Sequence, residues 1–349
     1  MATGANRRLG NDDRELATRA AWLYYESSLT QTEIASRLDI PQTRVQRLIA
    51  RAVQEGIVRI SIGGALGACV ALEQTLVARF ALDFCRIVPT PDEGTSVFSP
   101  IGRAGADYLA EAFESDRHRI AAFGHGRTIA ATIEHLAPAE HPELTVVAAL
   151  GDVPRRIGAN PFDVIHALAG KTKAAAYLPP VPFYANTADD RDMLFRQRGV
   201  ADAFRLAAQA SLFVVGIGEV KPGAFLGMSG MVVPEEFEAA RRDGAEAELL
   251  GTFFNAAGQR IETEMHERVI ALDPEVMRGR EVLAVAGGIE KVSAIHAILN
   301  SGIATALITD EQTAQRLSRF NGPALTPMPG AISTPPRKSN RRMHDQETG

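Results

Sequence analysis

The segment TQTEIASRLDIPQTRVQRLIARAVQE, from Thr30 to Glu55, predicts two helices joined by a tight turn. Thr30 and Glu33 have the spacing of a capping box, in which a hydroxyl and a carboxylate satisfy free backbone N–H groups at the start of a helix. A helix is therefore expected to begin near Gln31. Its inward face would be formed by three apolar residues at helical spacing: Ile34, Ala35 and Leu38.

The residues that follow predict the turn and the second helix. Asp39-Ile40-Pro41 ends the first helix, because proline cannot continue a helix but can open the next one. The second helix is expected from Gln42 to Glu55, with Gly56 ending it. Its buried face would consist of Val45, Leu48, Ile49 and Ala52.

Two further elements complete an N-terminal module. From Arg14 to Glu26 apolar residues again recur at helical spacing, and they predict a preceding helix. Val58 to Ile62 alternates apolar and polar residues, which predicts a short strand. We place a helix-turn-helix domain at residues 12–62. The inward residues of its first helix would be Leu16, Ala20, Leu23 and Tyr24.

The outer face of the second helix in the quoted segment indicates contact with DNA. Two helices joined by a three-residue turn form the arrangement that enters a major groove. Arginine can bond a guanine edge and glutamine an adenine edge, while Thr32 would lie near phosphates. A generic module of three packed helices explains the apolar positions equally well, but it does not explain an outer face without an acid before Glu55. The base-reading candidates are Gln42, Thr43, Arg44, Gln46 and Arg47.

Charge is distributed unevenly along the 349 residues, which have a formal net charge of −5. The first 62 residues contain nine arginines and seven acidic residues, a net of +2, which leaves −7 for the remainder. A small DNA-reading module fused to an acidic sensor would have this asymmetry. No apolar run approaches the roughly 20 residues that a membrane span needs. We expect a cytoplasmic protein with operator DNA, and no membrane, as its partner.

The two cysteines, Cys69 and Cys85, are too few for a disulfide framework and lack the spacing of metal ligands. They are expected to be buried thiols, since free cysteine is commonly buried. The sequence predicts neither a metal site nor a cofactor.

After Gly63, Gly64 and Gly67, which are interpreted as a joint, short β-rich runs alternate with helical stretches. This alternation predicts an α/β domain with a doubly wound, mainly parallel sheet at residues 68–320. Residues 321–349 have little to bury and are expected to be a disordered tail. The predicted strands are 85–88, 119–122, 144–150, 174–178, 212–216, 282–286 and 304–308. The predicted helices are 101–114, 127–136, 162–169, 200–210, 290–300 and 311–317.

One loop of this domain has the composition of an anion site. The residues GHGRT, Gly124 to Thr128, fall between a predicted strand and a predicted helix. A glycine-rich turn there would expose backbone N–H groups at a helix start, which favours an anion. A plain tight turn is the alternative. The individual candidates are Gly124, His125, Gly126, Arg127 and Thr128.

Two other predicted strands end in polar residues. Gly151 and Asp152 follow one of them, and Glu219 follows another after Gly216-Ile217-Gly218. Ligands of doubly wound sheets bind outside the carboxyl ends of the strands, so these loops are expected to converge on one crevice.

The chain resembles the SorC family of sugar-responsive bacterial regulators over about residues 14–320. The similarity is carried by residues 20–62 and, in the same order, by FGHGRT (123–128), FFNAAGQ (253–259), ERVI (267–270) and VAGGIEK (285–291). Residues 159–200 look closest to the branch represented by the erythritol catabolism repressor. The family usually has glycine where this chain has Asp39, and aspartate tolerates the left-handed conformation better than most residues.

The resemblance implies a fold like that of sugar-phosphate isomerases, a tetramer, and an effector in the crevice. By matching motifs it adds Asn255, Arg268 and Lys291 to the effector candidates. Lys291 could instead be a solvated lysine, and Arg268 a structural ion-pair partner. Asn255 stands where many members have an acid, which leaves open a phosphate ester or an uncharged polyol. The expected effector is a four-carbon polyol or its phosphate.

A competing interpretation is a sugar-phosphate isomerase with an attached DNA-binding domain. Proton transfer would then fall to Glu219, His125 or Asp152, but no paired acid/base motif links them. We therefore predict a regulator without catalytic residues. Because a helix-turn-helix typically pairs across two half-sites, a homo-oligomer, dimer or tetramer, is expected.

Overall fold

The computed structural model describes residues 3–27, 29–58, 66–91, 95–115, 117–153, 161–228 and 230–320. The predicted tail, the glycines Gly63 and Gly64, and the predicted strand after Val58 lie outside these residues. Within the part that is described, no helix is long and apolar enough to cross a membrane. The same residues contain no group of His, Cys, Asp and Glu side chains suited to hold a metal ion.

Three helices form the N-terminal module: α1 (Thr3–Tyr25), α2 (Gln31–Leu38) and α3 (Gln42–Gln54). The first helix begins well before the predicted Arg14. Ile34 is the central buried residue of α2, and Tyr24, predicted to be inside, is exposed. Tyr24 is the residue before the last of α1, and the buried residues of that helix end at Leu23. The buried residues are Ala17, Ala20, Ala21, Leu23, Ile34, Val45, Leu48, Ile49 and Ala52.

The capping box and the turn are confirmed. The Thr30 hydroxyl accepts a hydrogen bond from the Glu33 N–H, and the Glu33 carboxylate accepts one from the Thr30 N–H at 2.7 Å. Asp39 adopts the left-handed conformation, with φ 52° and ψ 49°, as expected for the residue that replaces the family glycine. Gly56, with φ 71°, follows the end of α3. The turn therefore keeps helix-turn-helix geometry.

All seven strands predicted for the large domain pair in one parallel sheet, in the order β1-β11-β10-β5-β2-β3-β4. They are β1 (Phe84–Val88), β2 (Ile120–Phe123), β3 (Thr145–Ala148), β4 (Ala175–Tyr177), β5 (Leu212–Val215), β10 (Glu281–Val285) and β11 (Ala306–Asp310). Alternate residues of these strands belong to two separate buried clusters, one on each face. The sheet is covered on both sides, as parallel sheets require.

Helices of one face are α5 (Phe98–Glu114), α6 (Arg127–His135) and α7 (Pro161–Thr172). Those of the other face are α4 (Leu66–Phe80), α9 (Arg198–Ala207), α12 (Val292–Asn300) and α13 (Glu311–Arg319). Six of them match predicted helices. The exception is α4, because Gly67 was interpreted as part of a joint and instead lies in this helix. Both cysteines are buried, as predicted, and burial raises the pKa of the Cys85 thiol to about 12.

A second, antiparallel sheet was not predicted. It has the order β6-β7-β8-β9 and consists of β6 (Gly218–Glu219), β7 (Ala245–Leu249), β8 (Thr252–Asn255) and β9 (Arg260–Ile261). Three helices were also missed: α8 (Ala188–Phe195), α10 (Phe225–Met228) and α11 (Pro234–Arg242). Short 3-10 turns occupy Glu264–Arg268, Pro274–Met277 and Ile289–Lys291. The two-residue strands are too short to show an alternating pattern.

Close packing of α5 against α6 positions the start of α6. A Cβ on Gly102 of α5 would lie 2.6 Å from the backbone carbonyl carbon of Ala131 in α6. A Cβ on Gly105 would lie 2.5 Å from the hydroxyl oxygen of Thr132. The two helices can touch only because these positions lack side chains.

We expect Gly102→Ala to lower the free energy of unfolding by about 1–3 kcal/mol, because the added methyl group must push α5 and α6 apart. Gly170→Ala is the matched control: Gly170 is an exposed glycine of α7 with no atom within 4 Å of its built Cβ. That change should raise stability by about 0.5–1 kcal/mol through backbone entropy. Urea denaturation of both variants is the measurement, and equal effects would contradict the packing argument.

Candidate DNA-reading helix and effector cavity

The predicted base-reading residues form one exposed face of α3. Gln42, Thr43, Arg44, Gln46 and Arg47 are all exposed, opposite the buried residues of the same helix. Thr32 is exposed in the first turn of α2. The arrangement leaves the outer face of α3 free to enter a groove.

The two arginines of that face are not equivalent. Arg44 donates to Asp13 of α1 at 3.0 Å, and Arg51 lies 3.7 Å from the other oxygen of the same carboxylate. Arg47 makes no ion pair with any described residue. Of the two, Arg47 therefore presents the uncompensated positive charge.

A cavity of about 270 Å³ lies at the carboxyl ends of β2, β5 and β10. The connections that follow these three neighbouring strands supply most of its polar lining. It brings together six of the residues predicted from the sequence, from three separate loops. They are His125, Gly126, Arg127, Thr128, Glu219 and Lys291.

The glycine loop presents the start of α6 to this cavity. Gly126 has φ 135°, a conformation that side chains rarely adopt, and no side chain caps the first turn of α6. Backbone N–H groups at a helix start carry partial positive charge and favour an anion. The Thr128 hydroxyl donates to the Val285 carbonyl at 2.6 Å, which ties the loop to β10.

Lys291 lines the cavity from the 3-10 turn after β10. Its ammonium group donates to the Ile217 carbonyl at 2.7 Å, in the connection after β5. Burial lowers the pKa of Lys291, and the nearby Glu219 carboxylate opposes that shift. Glu219 itself pairs with Lys221 at 2.6 Å.

His125 is neutral in this surrounding. Its ring packs edge-on against Phe183, with centroids 5.6 Å apart, and lies tilted 5.1 Å from Phe225. Burial, with the positive charge of Lys291 as a smaller cause, lowers the pKa of His125 to about 4. The side chain can offer one donor and one acceptor but no charge near neutral pH.

Glu248 of β7 also lines the cavity and was missed. It is 7% exposed, and its carboxylate accepts a hydrogen bond from the Gly251 N–H at 2.5 Å. Burial raises the pKa of Glu248. A Cβ on Gly218 would lie 2.2 Å from this carboxylate, so glycine there permits the approach. Glu246 and Glu248 share the strand alternation, and nothing in the sequence distinguishes which of them faces a cavity.

The remaining wall is apolar. It is formed by Phe98 at the start of α5, by Ala224, Phe225 and Leu226, and by Leu250. The Arg127 guanidinium lies 4.4 Å from the centre of the Phe98 ring, a cation–π contact at the rim. The cavity is thus lined by both charged and apolar side chains.

Five predicted effector residues lie outside the lining of this cavity. Gly124 sits below the loop, where its N–H donates to the Val214 carbonyl at 2.8 Å. The Gly151 N–H donates to the Ile270 carbonyl at 2.9 Å, and Asp152 joins the segment 181–183 by two backbone hydrogen bonds. A Cβ on Gly151 would lie 2.3 Å from the Pro182 oxygen. These three residues support the loops rather than face the cavity.

The other two have structural partners of their own. Asn255 closes the turn between β8 and β9, since its side-chain oxygen accepts from the N–H groups of Ala257 and Gln259 at 3.0 and 2.9 Å. Arg268 donates to both carboxylate oxygens of Glu236 at 2.5 and 2.6 Å, the ion-pair role left open above.

Asp310, at the end of β11, holds the turn that carries Lys291. It is 1% exposed and accepts hydrogen bonds from the Gly288 N–H, the Thr313 N–H and the Thr313 hydroxyl at 2.6–3.0 Å. A single buried carboxylate therefore both caps α13 and positions the loop after β10.

A helix-turn-helix joined to a doubly wound domain with a ligand-sized cavity defines a DNA-binding, ligand-responsive transcriptional regulator. Residues 22–55 match the model of sigma-70 region 4, and residues 65–318 match the family model described as "Putative sugar-binding domain". The chain belongs to the SorC family of sugar-binding transcriptional regulators, and its relatives are regulators rather than enzymes.

Two relatives span nearly the same length. The chain is 41% identical to the erythritol catabolism regulatory protein EryD of Brucella abortus (strain 2308), over 88% of this chain and 98% of that protein. It is 30% identical to the transcriptional regulator LsrR of Enterobacter sp. (strain 638), over 89% and 94%. The fold resembles the full-length sorbitol operon regulator SorC from Klebsiella pneumoniae, with a TM-score of 0.71, 23% identity and coverage of 87% and 98%.

We expect Asp310→Ala to destabilise the protein by about 2–4 kcal/mol, because the change leaves the buried N–H and hydroxyl of Thr313 without their acceptor and removes one of the two acceptors of the Gly288 N–H. Thr187→Ala is a matched control, since Thr187 caps α8 with one hydrogen bond at an exposed site. It should cost about 1 kcal/mol. Thermal or urea unfolding compares the two, and an equal cost would show that Asp310 does not organise the Gly288 turn.

Proposed function

We propose that this protein is a repressor of a polyol catabolic operon, and that a four-carbon polyol or its phosphate is the effector. Occupancy of the cavity at the carboxyl ends of β2, β5 and β10 would change the affinity for operator DNA. The observation that carries this proposal is the convergence of His125, Arg127, Glu219 and Lys291 on one small cavity. The 41% identity with a regulator of erythritol catabolism supports the choice of polyol.

The size and chemistry of the cavity fit a short polyhydroxylated molecule. Its volume of about 270 Å³ lies just below the usual range of ligand sites, about 300–1,000 Å³. Carboxylates accept hydrogen bonds from hydroxyl groups, and Glu219 and Glu248 stand ready to do so. The apolar wall can pack against the carbon chain.

An anionic group, if the effector has one, would bind in the polar part of the cavity. There the start of α6, Arg127 and Lys291 supply positive charge, while neutral His125 supplies a hydrogen bond. Asn255 lies away from the cavity, so the amide at that position does not bear on whether the effector is phosphorylated. Substitution of Lys291 therefore tests whether the effector is phosphorylated, because this residue supplies positive charge in the cavity.

The DNA-reading role is assigned to the helix-turn-helix domain at residues 12–62. Its base contacts would come from Gln42, Thr43, Arg44, Gln46 and Arg47, with Thr32 near phosphates. The domain at residues 68–320 would bind the effector and hold the oligomer together. A dimer or tetramer would place two recognition helices on neighbouring half-sites.

Helix α6 offers a physical connection between the two functions. Its start forms the cavity loop, and Ala137 follows its end. A Cβ on Gly56, just after α3, would lie 3.3 Å from the Ala137 Cβ, so the end of the reading helix lies near the end of α6. A ligand can shift DNA binding only by as much as it prefers one conformation, and displacement of α6 is the route we propose.

Arg47→Ala should weaken operator binding by about 1–3 kcal/mol if the guanidinium reads a base edge. Arg44→Ala should cost less, because Arg44 must first leave Asp13. Arg198→Ala, at an exposed arginine of α9, controls for the loss of one positive charge. Fluorescence anisotropy with operator DNA and scrambled DNA is the measurement. An unchanged affinity for Arg47→Ala would remove that residue from the DNA interface.

Lys291→Met should fold and bind operator nearly as the parent does, but lose the effector response. A phosphorylated effector should lose about 1.5–3 kcal/mol of affinity, since a charged hydrogen bond is removed, and a neutral polyol less. Lys173→Met, at an exposed lysine, is the control. Titration of operator-bound protein with erythritol and erythritol phosphate measures both. If Lys291→Met responds at the parent's effector concentration, the effector site is elsewhere.

A further inference from the structure

The single tryptophan of the chain lies on the surface of the DNA-binding module. Trp22 is 59% exposed, the largest exposure of any aromatic side chain among the described residues. Two further exposed aromatic residues of α1, Tyr24 and Tyr25, pack edge to face on each other with centroids 5.0 Å apart. Large aromatic side chains in solvent are characteristic of protein interfaces, where tryptophan supplies much of the binding energy.

Trp22 plays no part in the core of its own module. The buried stripe of α1 contains Ala17, Ala20, Ala21 and Leu23. At 3.6 residues per turn, Trp22 projects from the opposite side of the helix, and Thr18 and Glu15, which are also exposed, share that outer side. This face therefore has no partner among the described residues.

Opposite charges lie on either side of Trp22 along the helix, at nearly equal spacing. Arg19 precedes it by three residues and Glu26 follows it by four; both are exposed, and neither makes an ion pair with a described residue. They lie on the same flank of the helix, two turns or about 10 Å apart, which is too far for the side-chain pairing seen at three or four residues.

We infer that this face of α1, formed by Glu15, Thr18, Arg19, Trp22 and Glu26, binds the same face of a second copy of the chain. Two α1 helices would cross in antiparallel orientation about a two-fold axis near Trp22. Trp22 of one copy then packs on Trp22 of the other, and Arg19 of each copy meets Glu26 of the other. An isologous contact requires such self-complementarity, with each residue and its counterpart exchanged by the axis.

Charge also argues against DNA as the occupant of this surface. Glu15 and Glu26 would face phosphates there, and like charges repel. The basic, acid-free surface for DNA belongs to α3. The inference therefore concerns a second surface of the module, and it does not depend on which effector the large domain binds.

Cysteine cross-linking tests the contact directly in the full chain. Both native cysteines are buried, so Trp22→Cys introduces an accessible thiol next to the axis. Only residues close to a two-fold axis bring their counterparts within the roughly 4–7 Å between Cα atoms that a disulfide requires. Mild oxidation without DNA should convert most Trp22→Cys chains to covalent dimers. Met193→Cys, at a residue 61% exposed on α8, is the matched control and should stay monomeric.

A charge exchange tests the pairing of Arg19 with Glu26. In the Trp22→Cys background, Arg19→Glu or Glu26→Arg should each lower the cross-linking rate by about tenfold, because each change replaces two attractive pairs by two repulsive ones. The double exchange, Arg19→Glu with Glu26→Arg, should restore the rate. Circular dichroism verifies that the helices persist in all four proteins, and Arg198→Glu controls for the change of net charge.

Three outcomes would overturn the inference. The first is the absence of covalent dimers of Trp22→Cys, or equal dimer formation by Met193→Cys. The second is a double exchange that cross-links no faster than the single variants. The third is protection of Trp22 only in the presence of operator, with Glu26→Arg increasing operator affinity, which would assign the face to DNA instead.

Discussion

Parallel pairing of β2, β5 and β10 is the constraint on which the proposed effector site depends. Strands that run in one direction end at one edge, so the three connections that follow them must meet there. The glycine loop, the segment after β5 and the turn before Lys291 are far apart in sequence but adjacent in space. The two layers of helices keep this sheet dry and rigid, and the tight α5–α6 contact through Gly102 sets the position of the loop at the start of α6.

The cavity contains buried ionisable side chains, and burial of a charge costs free energy. Burial lowers the pKa of Lys291 and raises that of Glu248, and each shift is reduced by the opposite charge of the other. His125 avoids the cost by remaining neutral. Groups held this way keep unused hydrogen-bonding capacity, which a ligand with several hydroxyls or an anionic group can satisfy. The same residues would be a poor lining for a purely apolar ligand.

The surface of the DNA-binding module combines a helix face without acidic residues and a neighbouring carboxylate that pairs with arginines. The outer face of α3 has no acid, while Asp13 of α1 engages Arg44 and Arg51 from the side. Such exposed ion pairs are weak, so DNA phosphates can compete for them. Gly56, just after α3, lies next to Ala137, just after α6. The module has a core of its own, but this proximity connects it to the helix whose start lines the cavity.

The sequence by itself determined the helix-turn-helix, its capping box and left-handed Asp39, the seven parallel strands and six of their helices, because these features rest on local spacing and on periodicity. It also named six residues of the cavity, since glycine-rich and charged loops after strands recur at ligand sites. Only the tertiary structure decided that Glu248 faces the cavity, that Asn255 and Arg268 are engaged elsewhere, and that α4 is a helix. The physical reason is that these outcomes depend on contacts between distant segments. The Glu248 carboxylate of β7 can approach the cavity because Gly218 has no side chain in its way. Arg268 lies outside the cavity lining because Glu236 is close enough to bind it.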